Sequence, residues 1–242
     1  MGHGLKAAAL AVLLAASMPT SAAMVDRGGG MIYDDVLNVT WLQDANFAAT
    51  QWTNSGGTQG DQDGRMTWAA ADAWAAGLSY GGFNDWRLPA TFNSGPASCD
   101  YNNGIFHGGT ACGYNIDPAT SELASLYAEL GNKARYATND IYGPEQAGWG
   151  FAHTGPFVNV PTDGSPTNTY WSGTEYEPRP DSYAWIFRVQ DGLQSYEGKQ
   201  DTNFAWALRD GDVAPVPLPA AAWLLLSGLG GLGFLGRRRK AA

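Results

Sequence analysis

Apolar and polar positions alternate along the last third of the chain with the period of β-structure. Tyr183, Trp185, Phe187 and Val189 alternate with Ala184, Ile186, Arg188 and Gln190. Asp191-Gly192 then supplies a hairpin turn, and Leu193–Glu197 returns. Further strands are predicted at Tyr170–Thr174 and where Phe204, Trp206 and Leu208 alternate with Ala205, Ala207 and Arg209. Near the start, Met31-Ile32-Tyr33 and Val39–Leu42 flank the polar Asp34–Asn38 and predict another hairpin. The period becomes helical twice. Trp68, Ala71, Ala75 and Leu78 form one stripe, on a helix capped by Thr67 that runs to about Leu78 and is ended by Gly81-Gly82. Leu123, Leu126, Tyr127 and Leu130 form a second over Ser121–Leu130, stopped by Gly131. Trp86–Pro89 reads as a short strand stopped by proline. Thr53–Gly64, Ala90–Pro118 and Gly143–Asn168 read as loops. Two helices with an antiparallel meander make an α+β domain.

Both ends depart from this pattern. Lys6 precedes the apolar stretch Ala7–Ala16, and Ser21-Ala22-Ala23 has the small residues of a cleavage site. That core is too short to span a bilayer, so residues 1–23 read as a secretory signal peptide and residues 24–215 as the exported domain. At the other end, 17 uncharged residues, Ala220–Gly236, are followed by Arg237-Arg238-Arg239-Lys240. As a helix they would span roughly 26 Å of a hydrocarbon core of ~30 Å. The cations favour a cytoplasmic C-terminus, which leaves the domain outside.

This tail resembles the PEP-CTERM sorting signal. The matching residues are Val216, Pro217, Leu218, Pro219 and Ala220, then Arg237, Arg238 and Arg239. The resemblance implies an exosortase, a membrane transpeptidase-like protease, as partner. It also implies attachment through the C-terminal transmembrane helix until a cut near the proline motif. The protein would then face the periplasm before reaching the cell surface or the medium. An ordinary single-span anchor is the alternative, with the same sidedness.

Of the 14 lysines and arginines, five lie in the two terminal segments, whereas all 23 acidic residues lie between them. The exported domain therefore carries a net charge of −14. Such a domain repels nucleic acid and other polyanions. Cys99 and Cys112 fit one disulfide in an oxidising compartment, contributing about 3 kcal/mol by loop entropy.

A second resemblance covers nearly all of Gly28–Asp212. It rests on Asp34-Asp35, Thr40–Asp44, Gly64–Trp68, Gly82–Pro89, Ser121-Glu122-Leu123, Tyr170–Glu175 and Ala205–Arg209. These segments, in this order, are similar to the Lcl C-terminal domain family, a bacterial module named from a collagen-like adhesin. The resemblance implies a C-type-lectin-like α+β fold and, from the adhesin, attachment to sulfated polysaccharide. A charge of −14 opposes that ligand unless Arg65, Arg87, Arg179 and Arg188 gather into one patch.

No catalytic constellation stands out. His107 and His153 lack the spacing of a zinc pair, and Ser172 lacks a nucleophile elbow. The domain is therefore read as a non-enzyme. Asp61-Gln62-Asp63-Gly64 opens like a calcium loop, but Arg65 and Met66 break the pattern. No cofactor is expected, with calcium at Asp61 and Asp63 left open. Trp52, Trp149, Tyr142 and Tyr176 fall in predicted loops, where an exposed ring can stack on a sugar. Arg179 follows Glu177-Pro178 where calcium-dependent lectins place a sugar-binding Asn. The expectation is an exported, surface-held module that binds exopolysaccharide or surface glycan. The alternative is a structural biofilm matrix protein without a specific ligand.

Overall fold

The computed structural model describes residues 24–92, 99–102, 105–108, 111–138, 144–162 and 168–213. In chain order these form β1 (Met24–Gly28), β2 (Met31–Asp34), β3 (Val39–Leu42), α1 (Phe47–Asn54), β4 (Arg65–Met66) and α2 (Trp68–Ala76). Then follow β5 (Asp100–Asn102), β6 (Ile105–Gly108), α3 (Glu122–Glu129), β7 (Thr169–Glu175), β8 (Tyr183–Arg188), β9 (Leu193–Gly198), β10 (Asn203–Phe204) and β11 (Leu208–Asp210). The class is α+β, with two mostly antiparallel sheets ordered β1-β2-β3-β11 and β4-β10-β7-β8-β9. A two-stranded β5-β6 hairpin holds His107, within the Ala90–Pro118 stretch that the sequence predicts to be loop.

Both predicted hairpins form. Strand β2 pairs with β3 from Met31↔Leu42 to Asp34↔Val39, and β8 pairs with β9 from Tyr183↔Gly198 to Arg188↔Leu193. Helix α2 follows Thr67, which takes the cap position without a side-chain hydrogen bond, and it stops at Ala76, two residues before the expected Leu78, with Gly77 rather than Gly81-Gly82 at its end. Ala71 and Ala75 of its stripe are buried, as is Leu78 just beyond its end. Helix α3 is capped by the Ser121 hydroxyl, which accepts from the Ala124 amide at 3.3 Å.

Two expectations fail for physical reasons. Residues 204–209 are not one strand. Phe204 ends β10, where it pairs in parallel with Tyr170 of β7, whereas Leu208 opens β11 and pairs with Trp41 of β3. The chain crosses between the sheets through Ala205, Trp206 and Ala207, and every residue from Phe204 to Leu208 is buried. Alternation cannot report strand geometry where both faces are covered. Trp86–Pro89 likewise contributes one bridge, Arg87↔Leu208, and no named strand.

Helix α1 is absent from the sequence reading. Ala48 is its one buried residue, so it carries almost no apolar stripe. It is placed by tertiary contacts instead: Trp74 Nε1 of α2 donates to Gln51 Oε1 at 2.9 Å.

The main core fills the space between the sheets and the helices. Trp41 and Trp171, on strands, and Trp206, in the crossing between the sheets, are completely or almost completely buried. Their indole N–H groups reach Asp34 Oδ2 (3.3 Å), the Met66 carbonyl (2.8 Å) and the Leu42 carbonyl (2.8 Å), which offsets the cost of burying them. A smaller cluster on the other face of β8 combines Trp185, Tyr176 and Ala111 with Cys112. The disulfide Cys99–Cys112 is formed, with its Cα atoms 5.0 Å apart. Among the described residues no helix is long and apolar enough to cross a membrane. The terminal segments, including Ala220–Gly236 and residues 1–23, lie outside the described residues.

Candidate ligand-binding surface

Three neighbouring depressions line one surface of the domain. The first, of about 520 Å³, runs along α1, with Asn46, Thr50, Thr53 and Asn54 on one side and Asn159 and Phe204 among its other walls. Pro161 borders both this depression and a second of about 200 Å³, whose walls include Trp149, Phe151, Asn168 and Gln190. Asp63 borders the first and a third, which also takes in Asp61, Gln62, Arg65 and Thr202. The result is a shallow trough of amides, hydroxyls and carboxylates, with exposed aromatic area confined to the Trp149 end.

Asp44 ties together three of the residues that line the first depression. One carboxylate oxygen accepts the Asn46 amide at 2.9 Å, just ahead of α1. The other accepts Thr50 Oγ1 at 2.6 Å and Asn159 Nδ2 at 3.0 Å. One side chain thus fixes the start of α1 and the loop at Asn159, whose φ of +56° is a conformation asparagine tolerates. Asn46 in turn donates from Nδ2 to the Asp63 carbonyl at 3.2 Å, tying in the 61–64 turn.

Gly64 is required there. Its φ is +83°, and a β-carbon would run into the Asn46 side-chain oxygen, which is itself buried. Gly64→Ala is expected to cost about 2 kcal/mol in urea unfolding. Gly211→Ala, at φ +76° with open space around it, should cost only about 1 kcal/mol. Equal losses would show that the Asn46 contact contributes nothing.

The sequence-derived candidates divide. Trp149 is half-buried and forms a wall of the second depression, with the Arg135 guanidinium 5.2 Å from its ring centroid. Glu145 holds that guanidinium at 2.6 Å. Asp61 and Asp63 lie together in consecutive turns, Asp61 Oδ1 accepting the Asp63 amide and Asp63 Oδ1 the Arg65 amide. Burial, and then the neighbouring Asp63 carboxyl, raise the Asp61 pKa. Among the described residues no group of three or more His, Cys, Asp or Glu is arranged to hold a metal ion.

Trp52 is corrected: it sits on α1 rather than in a loop, and its ring packs against Gly57 instead of lining the trough. Tyr176 is in a loop but buried, its ring stacked on Tyr196 at 3.8 Å and set edge-on to Trp185 at 5.3 Å. Arg179 is exposed, with its guanidinium 5.6 Å from the Tyr183 centroid. Tyr176 belongs to the disulfide-side cluster and Arg179 lies beside it over Tyr183; neither lines the trough. Tyr142 lies outside the described residues.

The arginines do not pool their charge either. Arg87 is bound to Glu122 and Asp210, and Arg188 to Asp191 at 2.6 Å. Ser172 is buried, donating to the Pro89 carbonyl at 2.9 Å and accepting from Thr91 Oγ1 at 3.0 Å.

Asp44, Asn46, Asn159 and Phe204 were missed by the sequence reading. The one available signal was Asp44-x-Asn46, a turn-and-cap pattern that makes sense only once α1 is recognised.

The remaining functional information lies in the tail. Residues 215–240 match the PEP-CTERM protein-sorting motif. The chain therefore carries a signal for exosortase-dependent sorting, which implies export and membrane-anchored processing. The match includes the Val216–Ala220 segment and the Arg237–Arg239 cluster. No curated protein and no solved structure matches the chain.

Proposed function

We propose that residues 24–215 form a carbohydrate-binding module, exported with a signal peptide over residues 1–23 and handed to the cell surface or extracellular matrix by exosortase. Its ligand is an exopolysaccharide or surface glycan, held in the trough. The observation that carries this reading is the lining itself: amide and hydroxyl groups from α1 and Asn159, with the half-buried Trp149 ring in the adjoining depression across Pro161. Sugars present hydroxyls around apolar ring faces, and such a mixture of polar and aromatic groups suits them. The resemblance to the Lcl C-terminal domain family points the same way.

The charge narrows the ligand. A net −14 and arginines already engaged by carboxylates argue for a neutral or amino-sugar polymer over a sulfated one. In this reading the domain binds polysaccharide without cleaving it. Asp61 and Asp63 are its candidate calcium ligands, and the dependence of binding on calcium in the same assay tests them.

The test is a screen of the purified protein against neutral, amino-sugar and sulfated polysaccharides, with calcium and with chelator. Binding to a neutral or amino-sugar polymer is expected, and Trp149→Ala should weaken it about tenfold or more, in the range of an aromatic anchor. Trp52→Ala, outside the trough, should leave it unchanged. Absence of binding to every polymer would remove the carbohydrate reading in favour of a purely structural matrix role.

A further inference from the structure

We propose that, while the tail anchors the protein, the β2–β3 turn rests against the lipid headgroups and the trough points away from the bilayer. The inference goes beyond the carbohydrate reading and needs only the sorting signal and the strand register. Met24, the first residue of β1, lies opposite Asp34, where the β2–β3 turn begins. Strand β11 ends at Asp210 opposite Val39, where the same turn returns. The Gly211 amide then donates to the Asn38 carbonyl, inside the turn, at 2.8 Å, and Thr40 Oγ1 donates to the Gly211 carbonyl at 2.7 Å. Both routes toward a terminal segment therefore leave the domain beside one turn.

The chain stays pinned there as far as Val213. Arg27 donates to both carboxylate oxygens of Asp212, at 2.8 and 2.6 Å, and Val213 is buried. The sorting motif begins two residues later, at Pro215. The seven residues from Val213 to Ala220, where the uncharged run starts, reach at most about 25 Å when fully extended. A folded domain of about 190 residues measures roughly 40 Å across. The tether is too short to pass around the domain, so the end at which it leaves has to face the bilayer.

The trough lies at the opposite end. Strand β3 runs away from the turn to Leu42, and the Gln43 amide donates to the Gly30 carbonyl, between β1 and β2, at 2.8 Å. Asp44, Asn46 and α1 follow directly. Two exposed valines mark the two ends. Val36, in the β2–β3 turn, is 56% exposed, and Val158, bridged to Asp44, is 49% exposed. Asp35 is exposed beside Val36, so the turn has no attraction for anionic headgroups. The contact is imposed by the tether and not by affinity.

The test uses the full-length protein with a fluorophore at Val36→Cys or at Val158→Cys. Both native cysteines are held in the disulfide, which leaves only the added thiol to label. The protein is placed in phosphatidylethanolamine/phosphatidylglycerol vesicles that contain a lipid with a nitroxide on its headgroup. Quenching several-fold stronger at position 36 than at position 158 is expected. Equal quenching, or stronger quenching at position 158, overturns the proposal. A Gly/Ser insert of about 60 residues before Pro215, spanning roughly 40 Å, should lower the quenching at position 36 to the level at position 158. Quenching at position 36 that survives the insert unchanged overturns the tether as its cause. None of these outcomes depends on whether the trough binds carbohydrate.

Discussion

Trp206→Ala is expected to lower the stability of the domain by about 4 kcal/mol, the cost of removing a fully packed aromatic side chain. Trp206 is 1% exposed and sits where the chain crosses from one sheet to the other. Its ring is surrounded by those of Phe157, Trp41 and Tyr170, at centroid distances of 4.9, 5.2 and 5.4 Å. Its indole N–H also donates to the buried Leu42 carbonyl at 2.8 Å. Alanine therefore opens a cavity bounded by both sheets and leaves that carbonyl without a partner. Trp206→Phe keeps most of the volume and loses only the N–H, so its cost should stay near 2 kcal/mol. Urea unfolding of the two variants checks the order. A Trp206→Ala protein within 1 kcal/mol of wild type would mean that the crossing does not join the sheets energetically.

The second large effect concerns Arg87. Its guanidinium forms a two-pronged contact with Glu122, at 2.7 and 2.8 Å, and a further contact with Asp210. The Glu122 side chain is only 5% exposed, and its Oε2 also accepts the Ala90 amide at 2.6 Å. Burial alone would lower the Arg87 pKa, but these two carboxylates raise it on balance. Arg87→Leu would strand the Glu122 carboxylate, with an expected loss of about 3–5 kcal/mol. The double variant Arg87→Leu/Glu122→Leu removes both charges and should recover much of it, because a buried pair exchanged for apolar side chains is often nearly neutral. A double variant no better than Arg87→Leu would show that the pair itself, and not the stranded charge, supplies the stability.

The hydrogen-bonded roles of these residues explain why sequence reading had uneven reach. Arg87-Leu88-Pro89 looked like a strand, yet Arg87 forms a single bridge to Leu208 and its side chain joins α3 to β11. Helix α1 was overlooked because it is held by the Asp44 and Gln51 contacts rather than by an apolar stripe. Trp52, which lies on that helix, falls in a predicted loop by sequence alone for the same reason. Tyr176 was read as a loop aromatic, correctly in place but wrongly as exposed, because a stacked neighbour twenty residues later, Tyr196, covers it.

By itself the sequence determined what is written in local chemistry. The sorting tail, the Cys99–Cys112 pair, the two hairpins and the helices at Thr67 and Ser121 each depend on residues close together in the chain. Short-range turn, cap and periodicity rules are sufficient for such features. The tertiary structure decided the rest. The trough joins Asn46 to Asp63 and Asp44 to Asn159, and the crossing at Trp206 joins Leu42 to a residue 164 positions away. No local pattern encodes those meetings, because burial on both faces erases periodicity and hydrogen-bond partners are chosen only when the sheets and helices pack.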